Sequence, residues 1–437
     1  MGELMQDERV DVIVVGAGPA GAAAALELAR AGLEVVVIER GAYPGSKNVM
    51  GGIIYRQPTE ELVPEFWKEA PVERAMIEQR FMMLTEEDSL GGVFRTQQFA
   101  REPHNAYTVM RGDWDQWFAG KAEEAGAFLI PQMVVGDLIW RDGKIDGVNT
   151  GDEEGDLHAD VVVIADGANS LLAQKAGLHE GWSPEDQALI SKELIRLSRE
   201  QINERFNVSD GLGVAMEIFG QSTAGLLGYG FIYTNDETIS IGTGAMLQDL
   251  IDSGLNTNDI LNDFKAHPSI APLIDGGETI EYTAHLIPEG GWYSLPKLYA
   301  DGAVVVGDAA GLVNPMNREG SNFAMISGKL AAQAIVEAKE AGDFSAAQLS
   351  RYRELLADSF ILKDLHKIRN LTGFAHARPH LFNELPELFA DVAREYLTVD
   401  SVPKKIKQEK MLRTIMDRMP ARRTIDDAIN GFRAFFT

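Results

Sequence analysis

The 437-residue chain contains no cysteine. Disulfides, thiolate zinc sites, cysteine-ligated iron–sulfur clusters and redox thiols are therefore excluded within it. Disulfide reductases leave the set of candidate enzymes on that ground alone. Long hydrophobic runs are lacking too. No window offers about 18 uncharged apolar residues, so no segment is expected to span a bilayer. Positive charge is scarce: 40 Lys and Arg face 66 Asp and Glu, a formal net charge of −26. That weighs against nucleic acid as a partner, because phosphate contacts need clustered cations. It equally disfavours general adhesion to an anionic membrane. Mainly acidic residues precede the apolar run that begins by Val10, where a secretory signal needs basic ones. The expectation is a cytoplasmic protein, or one lying on the inner face of the cell membrane. Repeats and low-complexity tracts are absent.

Apolar residues make up 45% and charged residues 24%, an ordinary globular balance, and the length suggests roughly two to three domains. Asp11 to Val15 reads as a buried strand, Pro19 to Ala31 as an Ala-rich helix and Glu34 to Ile38 as a second strand, a βαβ opening. An irregular Gly-rich stretch runs from Gly41 to about Arg56. Trp114 to Ala125 reads as a helix and Val161 to Ala165 as another buried strand. From about Glu180 to Trp292 the segments are short, β-rich and punctuated by glycine, which suggests an inserted, mostly antiparallel sheet. Ala303 to Val306 returns to strand, followed by a helix from about Ser321 to Glu340. The expected fold class is α/β. A discontinuous Rossmann-like domain (1–179 plus 293–345) carries an inserted antiparallel β-sheet domain (180–292) and a helical C-terminal region (346–437). That region holds a basic stretch from Lys404 to Arg423, read as a solvated face or as a docking patch for an acidic partner or lipid head groups.

Gly16-Ala17-Gly18-Pro19-Ala20-Gly21 is a G-x-G-x-x-G that follows a strand and opens a helix. Gly16 permits the tight turn, Gly18 lets a pyrophosphate approach the backbone, and Gly21 lets the helix pack on the strand. The helix N-terminus offers unpaired N–H groups to that pyrophosphate. Glu39 ends the second strand, where a carboxylate can accept hydrogen bonds from ribose hydroxyls. Two later features favour FAD over NAD: Ala165-Asp166-Gly167 at a strand end, and Gly307-Asp308 ahead of a long helix. Asp308 suits the ribityl hydroxyls of a longer dinucleotide. The helix opening at Gly320, Ser321 and Asn322 would aim its N-terminus at the flavin pyrimidine, favouring negative charge on the reduced ring. Arg111, ahead of a helix, is a candidate phosphate partner. No second G-x-G-x-x-G offers a nicotinamide site, so electrons are expected from another protein or an apolar donor. Neither a nucleophile nor a metal site is expected, and no catalytic residue is singled out. His104, His267 and His285 read as structural or surface residues.

These motifs, in this order, resemble the flavoproteins that include aromatic hydroxylases, geranylgeranyl reductases and electron transfer flavoprotein–quinone oxidoreductases. Lys47-Asn48-Val49-Met50-Gly51-Gly52, after Ile38-Glu39-Arg40-Gly41, is similar to the FixC branch of the last group. So are Asp166-Gly167-Ala168-Asn169-Ser170, Phe231-Ile232-Tyr233-Thr234-Asn235, His267-Pro268 and Gly290-Gly291. On this resemblance Arg40, Lys47, Asn48, Val49, Gly51, Gly52 and Val135 join the expected cofactor-binding residues. It implies an electron transfer flavoprotein heterodimer as donor, a membrane quinone as acceptor, and a separate ferredoxin-like iron–sulfur subunit docking near the basic tail. The β-rich insert around Gly211 to Gly230, with Trp292 and Tyr293, is a candidate quinone slot. Asn314-Pro315-Met316-Asn317-Arg318-Glu319-Gly320 instead resembles the geranylgeranyl reductase version, so prenyl reduction is the alternative activity.

Overall fold

The computed structural model describes residues 9–48, 51–151 and 155–436. Its described residues divide into two compact units. One comprises Met1–Glu73, Pro103–Gln187 and Leu286–His366; the other comprises Arg74–Glu102, Ala188–His285 and Lys367–Thr437. The first unit thus keeps the helices just after residue 346, and the second takes in residues 74–102, which lie outside the 180–292 insert drawn from sequence. A segment clusters with the sheet it joins rather than with its neighbours in the chain.

The first unit is built on a parallel sheet. Strand β1 (Arg9–Val15) is followed by helix α1 (Pro19–Arg30) and strand β2 (Val35–Ile38). Strand β3 (Gly51–Tyr55) pairs antiparallel with β4 (Ala106–Met110), which runs into helix α2 (Arg111–Glu124). The remaining strands are β5 (Phe128–Ile130), β6 (Asp137–Arg141), β7 (Lys144–Asn149), β8 (Asp156–Ile164), β9 (Tyr299–Ala300) and β10 (Ala303–Val305). The order across the sheet is β9-β10-β8-β1-β2-β5, with β7 also on β8 and β6 on β7. Val12 lies opposite Val35 on one side and Val161 on the other. Both faces of β1 are covered, so its sequence is continuously apolar rather than alternating. Helix α3 (Leu171–Lys175) follows β8, and helix α4 (Ser321–Ala341) follows β10. α4 lies along α1 at close range: a Cβ on Gly328 would sit 2.1 Å from the Ala20 carbonyl oxygen.

The second unit is a sheet in the order Glu278–Pro288, Gln187–Arg196, Thr238–Met246, Gly228–Thr234, Leu212–Gly220, Val72–Leu84, with Ser89–Arg95 on the last. Leu212–Gly220 and Val72–Leu84 run parallel; the neighbouring pairs around them are antiparallel. Phe206, Val214, Ile232, Ile241, Leu261 and Phe264 form its core, each worth about 2 to 3 kcal/mol of burial. Arg74 is fully buried. Its guanidinium donates to the carbonyls of Asn235 (2.6 Å), Leu212 (3.0 Å) and Asp236 (3.1 Å) and to Asn203 Oδ1 (2.7 Å). The chain ends in helices α5 (Glu384–Leu397), α6 (Lys404–Arg418) and α7 (Ala421–Phe436).

This is the fold class read from sequence, with local differences. The stretch from Gly41 contains strand β3, and α2 begins at Arg111 rather than Trp114. Its first turn, Arg-Gly-Asp, is polar and carries no apolar period to reveal it. No described helix is long and apolar enough to cross a membrane.

Candidate cofactor site

The turn between β1 and α1 has the geometry that each glycine implies. Gly16 takes φ +104, and a Cβ there would fall 2.3 Å from the Ala165 carbonyl oxygen. A Cβ on Gly21 would lie 1.9 Å from the Gly16 carbonyl oxygen and 3.1 Å from Val14, the close helix–strand approach that only glycine allows. Gly18 is different: a Cβ there would meet no protein atom within 4 Å. The position is sterically open and lines the cleft beside the turn. Pro19 is the first residue of α1, where its missing N–H costs nothing, and no side chain caps the helix.

Glu39 is buried at the end of β2. One carboxylate oxygen accepts from Ala17 N–H (3.0 Å) and the other from Gly41 N–H (2.6 Å), leaving lone pairs for further donors. Glu39 lines a cavity of about 290 Å³ together with Gly16, Gly18, Arg40, Lys47, Asn48, Arg111, Val135, Ala165, Asp166 and Gly167. Asp166 Oδ2 accepts from Leu172 N–H at 2.8 Å, while Oδ1 is buried without a partner among the described residues. Burial pushes the Asp166 carboxyl up; the Leu172 N–H and the Arg40 charge oppose it.

Arg111 forms a two-pronged ion pair with Asp115, at 2.9 and 2.8 Å, on the first turn of α2. Asp115 was not apparent beforehand, although an Arg and an Asp four residues apart on a helix are a readable pair. Gly45, at φ +84, lets the preceding loop pass the Arg111 carbonyl; a Cβ would lie 2.5 Å from that oxygen. Gly52 faces the Arg111 Cδ at 3.9 Å from its would-be Cβ. Gly307 turns at φ +61 against α1: a Cβ would be 2.8 Å from the Ala20 Cβ. Burial pushes the Asp308 carboxyl up and Arg111 pulls it back. Asn322, near the start of α4, donates to Glu319 Oε1 at 3.0 Å, and its own Oδ1 is buried without a partner among the described residues. Gly320 and Ser321 begin the same helix.

Most of the residues singled out from sequence therefore converge. Gly16, Gly18, Glu39, Arg40, Lys47, Asn48, Arg111, Val135, Ala165, Asp166 and Gly167 share one cavity. Pro19, Ala20 and Gly21 form the helix start beside it. Gly307 and Asp308 meet Ala20 and the field of Arg111. Gly51, Gly52, Gly320, Ser321 and Asn322 do not line that cavity. Val49 lies outside the described residues. Glu289, not anticipated, precedes Gly290-Gly291, and burial pushes its carboxyl up to about 7. Of the candidate quinone residues, Trp292 meets the His366 ring edge-on at 4.8 Å and Tyr293 is exposed. His267 is buried, with its ring nitrogens on the Thr85 carbonyl and the Ser269 N–H. No cluster of three or more His, Asp or Glu suited to a metal occurs among the described residues.

An open glycine, an uncapped helix start, a pinned carboxylate and an orphan carboxylate oxygen around one cleft fit a dinucleotide. Comparison with known proteins gives the class. A family model described as FAD dependent oxidoreductase matches residues 11–197, and one described as the ETF-QO/FixC family C-terminal domain matches residues 371–436. The chain is an FAD-dependent oxidoreductase, and its cofactor is FAD. It is 44% identical to Protein FixC of Bradyrhizobium diazoefficiens, over 99% of this chain and 100% of that one. It is 39% identical to a probable electron transfer flavoprotein-quinone oxidoreductase, YdiS, of Escherichia coli, over 98% and 100%. The chain belongs to the FixC family. A geranylgeranyl bacteriochlorophyll reductase-like protein of Thermoplasma acidophilum has the same fold, with TM-score 0.72 at 21% identity over 95% of this chain and 97% of that one.

Proposed function

We propose that this protein takes electrons from an electron transfer flavoprotein and delivers them to a membrane quinone. The observation that carries this is a single dinucleotide cradle in a chain matched over nearly its whole length by FixC proteins and a probable electron transfer flavoprotein-quinone oxidoreductase. FAD accepts and donates electrons singly or in pairs, which lets it join a one-electron carrier to a two-electron acceptor. The chain's own residues bind and tune it. In this reading the bare Gly18 and the α1 N-terminus hold the pyrophosphate, Glu39 the adenosine ribose, and Asp308 the ribityl chain. The N-terminus of α4 faces the pyrimidine end and favours the reduced ring electrostatically.

A ferredoxin-like iron–sulfur subunit completes the complex, since no thiolate cluster can form in a chain without cysteine. Support for docking lies in residues 404–436, where nine basic residues stand against four acidic ones in a protein of net charge −26. Part of that charge is already used. Lys407 is buried and donates to the Thr398 carbonyl, and Arg418 pairs with Asp391. Lys404, Lys405, Arg413 and Arg422 remain exposed. Beside them α7 exposes Ile425, Ile429, Phe432 and Phe436 along one stripe, which supports peripheral seating on the inner face of the cell membrane.

The test is turnover of a short-chain quinone by the co-purified complex with reduced electron transfer flavoprotein as donor. Quinone-dependent reoxidation of the donor is the expected result. Saturation of an isoprenoid double bond without quinone reduction would instead establish a prenyl reductase.

A further inference from the structure

Behind the two strand-end motifs lies a hydrogen-bonded chain that no step above uses. Ser170 is fully buried and adopts φ +49, an uncommon conformation for a non-glycine residue. Its hydroxyl donates to the Ala309 carbonyl at 2.8 Å. His179 Nε2 lies 2.9 Å from the same hydroxyl, and His179 Nδ1 accepts from Gly181 N–H at 2.9 Å. The proton positions follow from the partners. A carbonyl cannot donate, so the one Ser170 hydroxyl proton points at Ala309. The hydroxyl therefore accepts from His179, and Nε2 carries the ring proton. Nδ1 must be bare, because a backbone N–H already points at it.

Trp182 completes the arrangement. Its ring lies 4.8 Å from that of His179, and its indole N–H donates to the Ala168 carbonyl at 2.8 Å. Its far edge sits beneath Gly311, where a Cβ would be only 2.9 Å away. One side-chain pair thus ties the segment from Asp166 to Ser170 to the turn from Gly307 to Gly311. A peptide unit is planar, so fixing the Ala309 carbonyl fixes the Ala309–Ala310 peptide, one residue beyond Asp308, and with it the turn that carries Asp308.

We propose that His179 is a positioning residue for the flavin: acting through Ser170, its neutral imidazole locks the turn that presents Asp308. This rests on the placement of the ribityl chain at Asp308 given above. The lock has a pH sense built in. A cationic imidazole would keep its Nε2–H on Ser170 but set an Nδ1–H against the Gly181 N–H, so protonation breaks the backbone anchor that holds the ring in place. Burial also pulls the imidazole below its ordinary value of 6.5, against the Gly181 hydrogen bond. The lock is therefore complete above about pH 6.5 and is lost as pH falls below it. The charged groups on the segments that meet here are Asp166, Lys175, Glu180 and Asp308. Three of them are acidic, and none is among the causes of that shift.

The experiment measures FAD affinity by flavin fluorescence from pH 8 to pH 5.5 in wild type, His179→Gln, Ser170→Ala and Asp308→Ala. Nitrogen chemical shifts of labelled histidine in the cofactor-free protein are recorded in parallel. Wild type is expected to weaken roughly five- to ten-fold across the range beyond whatever His179→Gln shows, since glutamine cannot titrate. Ser170→Ala is expected to bind several-fold more weakly at high pH, with a variant combining His179→Gln and Ser170→Ala no worse. The shifts should report a neutral Nε2–H tautomer at pH 7.5. Identical pH profiles in wild type and His179→Gln, or full affinity in Ser170→Ala, would overturn the lock. Full affinity in Asp308→Ala would instead overturn the placement of the flavin, while leaving the tautomer measurement standing.

Discussion

At the scale of single residues, the two glycines of the opening turn make opposite demands. Gly16 is required by the protein: its φ is +104 and the Ala165 oxygen blocks a Cβ. Nothing in the protein blocks a Cβ at Gly18, so in the proposed reading it is the ligand that requires the glycine. Gly16→Ala is expected to cost the fold about 1 to 3 kcal/mol. Gly18→Val should leave the melting temperature of the cofactor-free protein unchanged while FAD affinity falls more than roughly ten-fold. Thermal melts and flavin titration of both variants check this, and a destabilised but FAD-binding Gly18→Val would contradict it. These glycines were legible because their spacing is local and each has a separate steric reason. Glu289 and His179 were not. Nothing near Glu289 in the chain announces burial, and the partners of His179 are Ser170 and, through it, Ala309, far along the sequence. Glu289 also gives a pH effect. Its folded value, raised from 4.5 to about 7, means the fold favours the protonated form. The associated stability is full below about pH 4.5 and is lost as pH rises through 7. Because Glu289 is only half-buried, Glu289→Gln should gain about 1 kcal/mol over wild type at pH 8. Denaturant midpoints at pH 5 and pH 8 measure it, and an equal difference at both would contradict it.

At the scale of elements, the buried βαβ strands announced themselves as runs such as Val-Ile-Val-Val. The half-buried ones did not. Val72–Leu84 interleaves Arg74, Glu78 and Arg80 with apolar residues, so its charges mask a strand. Those charges are satisfied internally: Glu78 takes both Arg80 and Arg95, and Arg74 bonds four acceptors. Arg74→Met fills similar volume but strands one buried and two partly buried carbonyls. It is expected to destabilise the protein by about 3 kcal/mol, read from the urea midpoint. A loss under about 1 kcal/mol would show that the guanidinium is dispensable to that sheet. In the last helices, the basic composition of α6 was visible in the sequence, but its division of labour was not. Lys407 looks like its neighbours in one dimension, yet it is the one turned inward.

At the scale of the whole molecule, a net charge of −26 coexists with exposed cationic and apolar residues on α6 and α7, which fits the separate partners proposed above. If α7 seats on lipid, anionic vesicles should pellet with the protein at low salt, and Phe432→Glu with Phe436→Glu should abolish this. Unchanged pelleting of the double variant would move lipid contact elsewhere. The electron path itself is tested by an anaerobic single-turnover measurement of the flavin absorbance. Reduced electron transfer flavoprotein is expected to bleach the bound FAD, and a short-chain quinone to restore the colour within the same sample, while Gly18→Val shows neither change. A flavin that bleaches but is never reoxidised by any quinone would contradict the account.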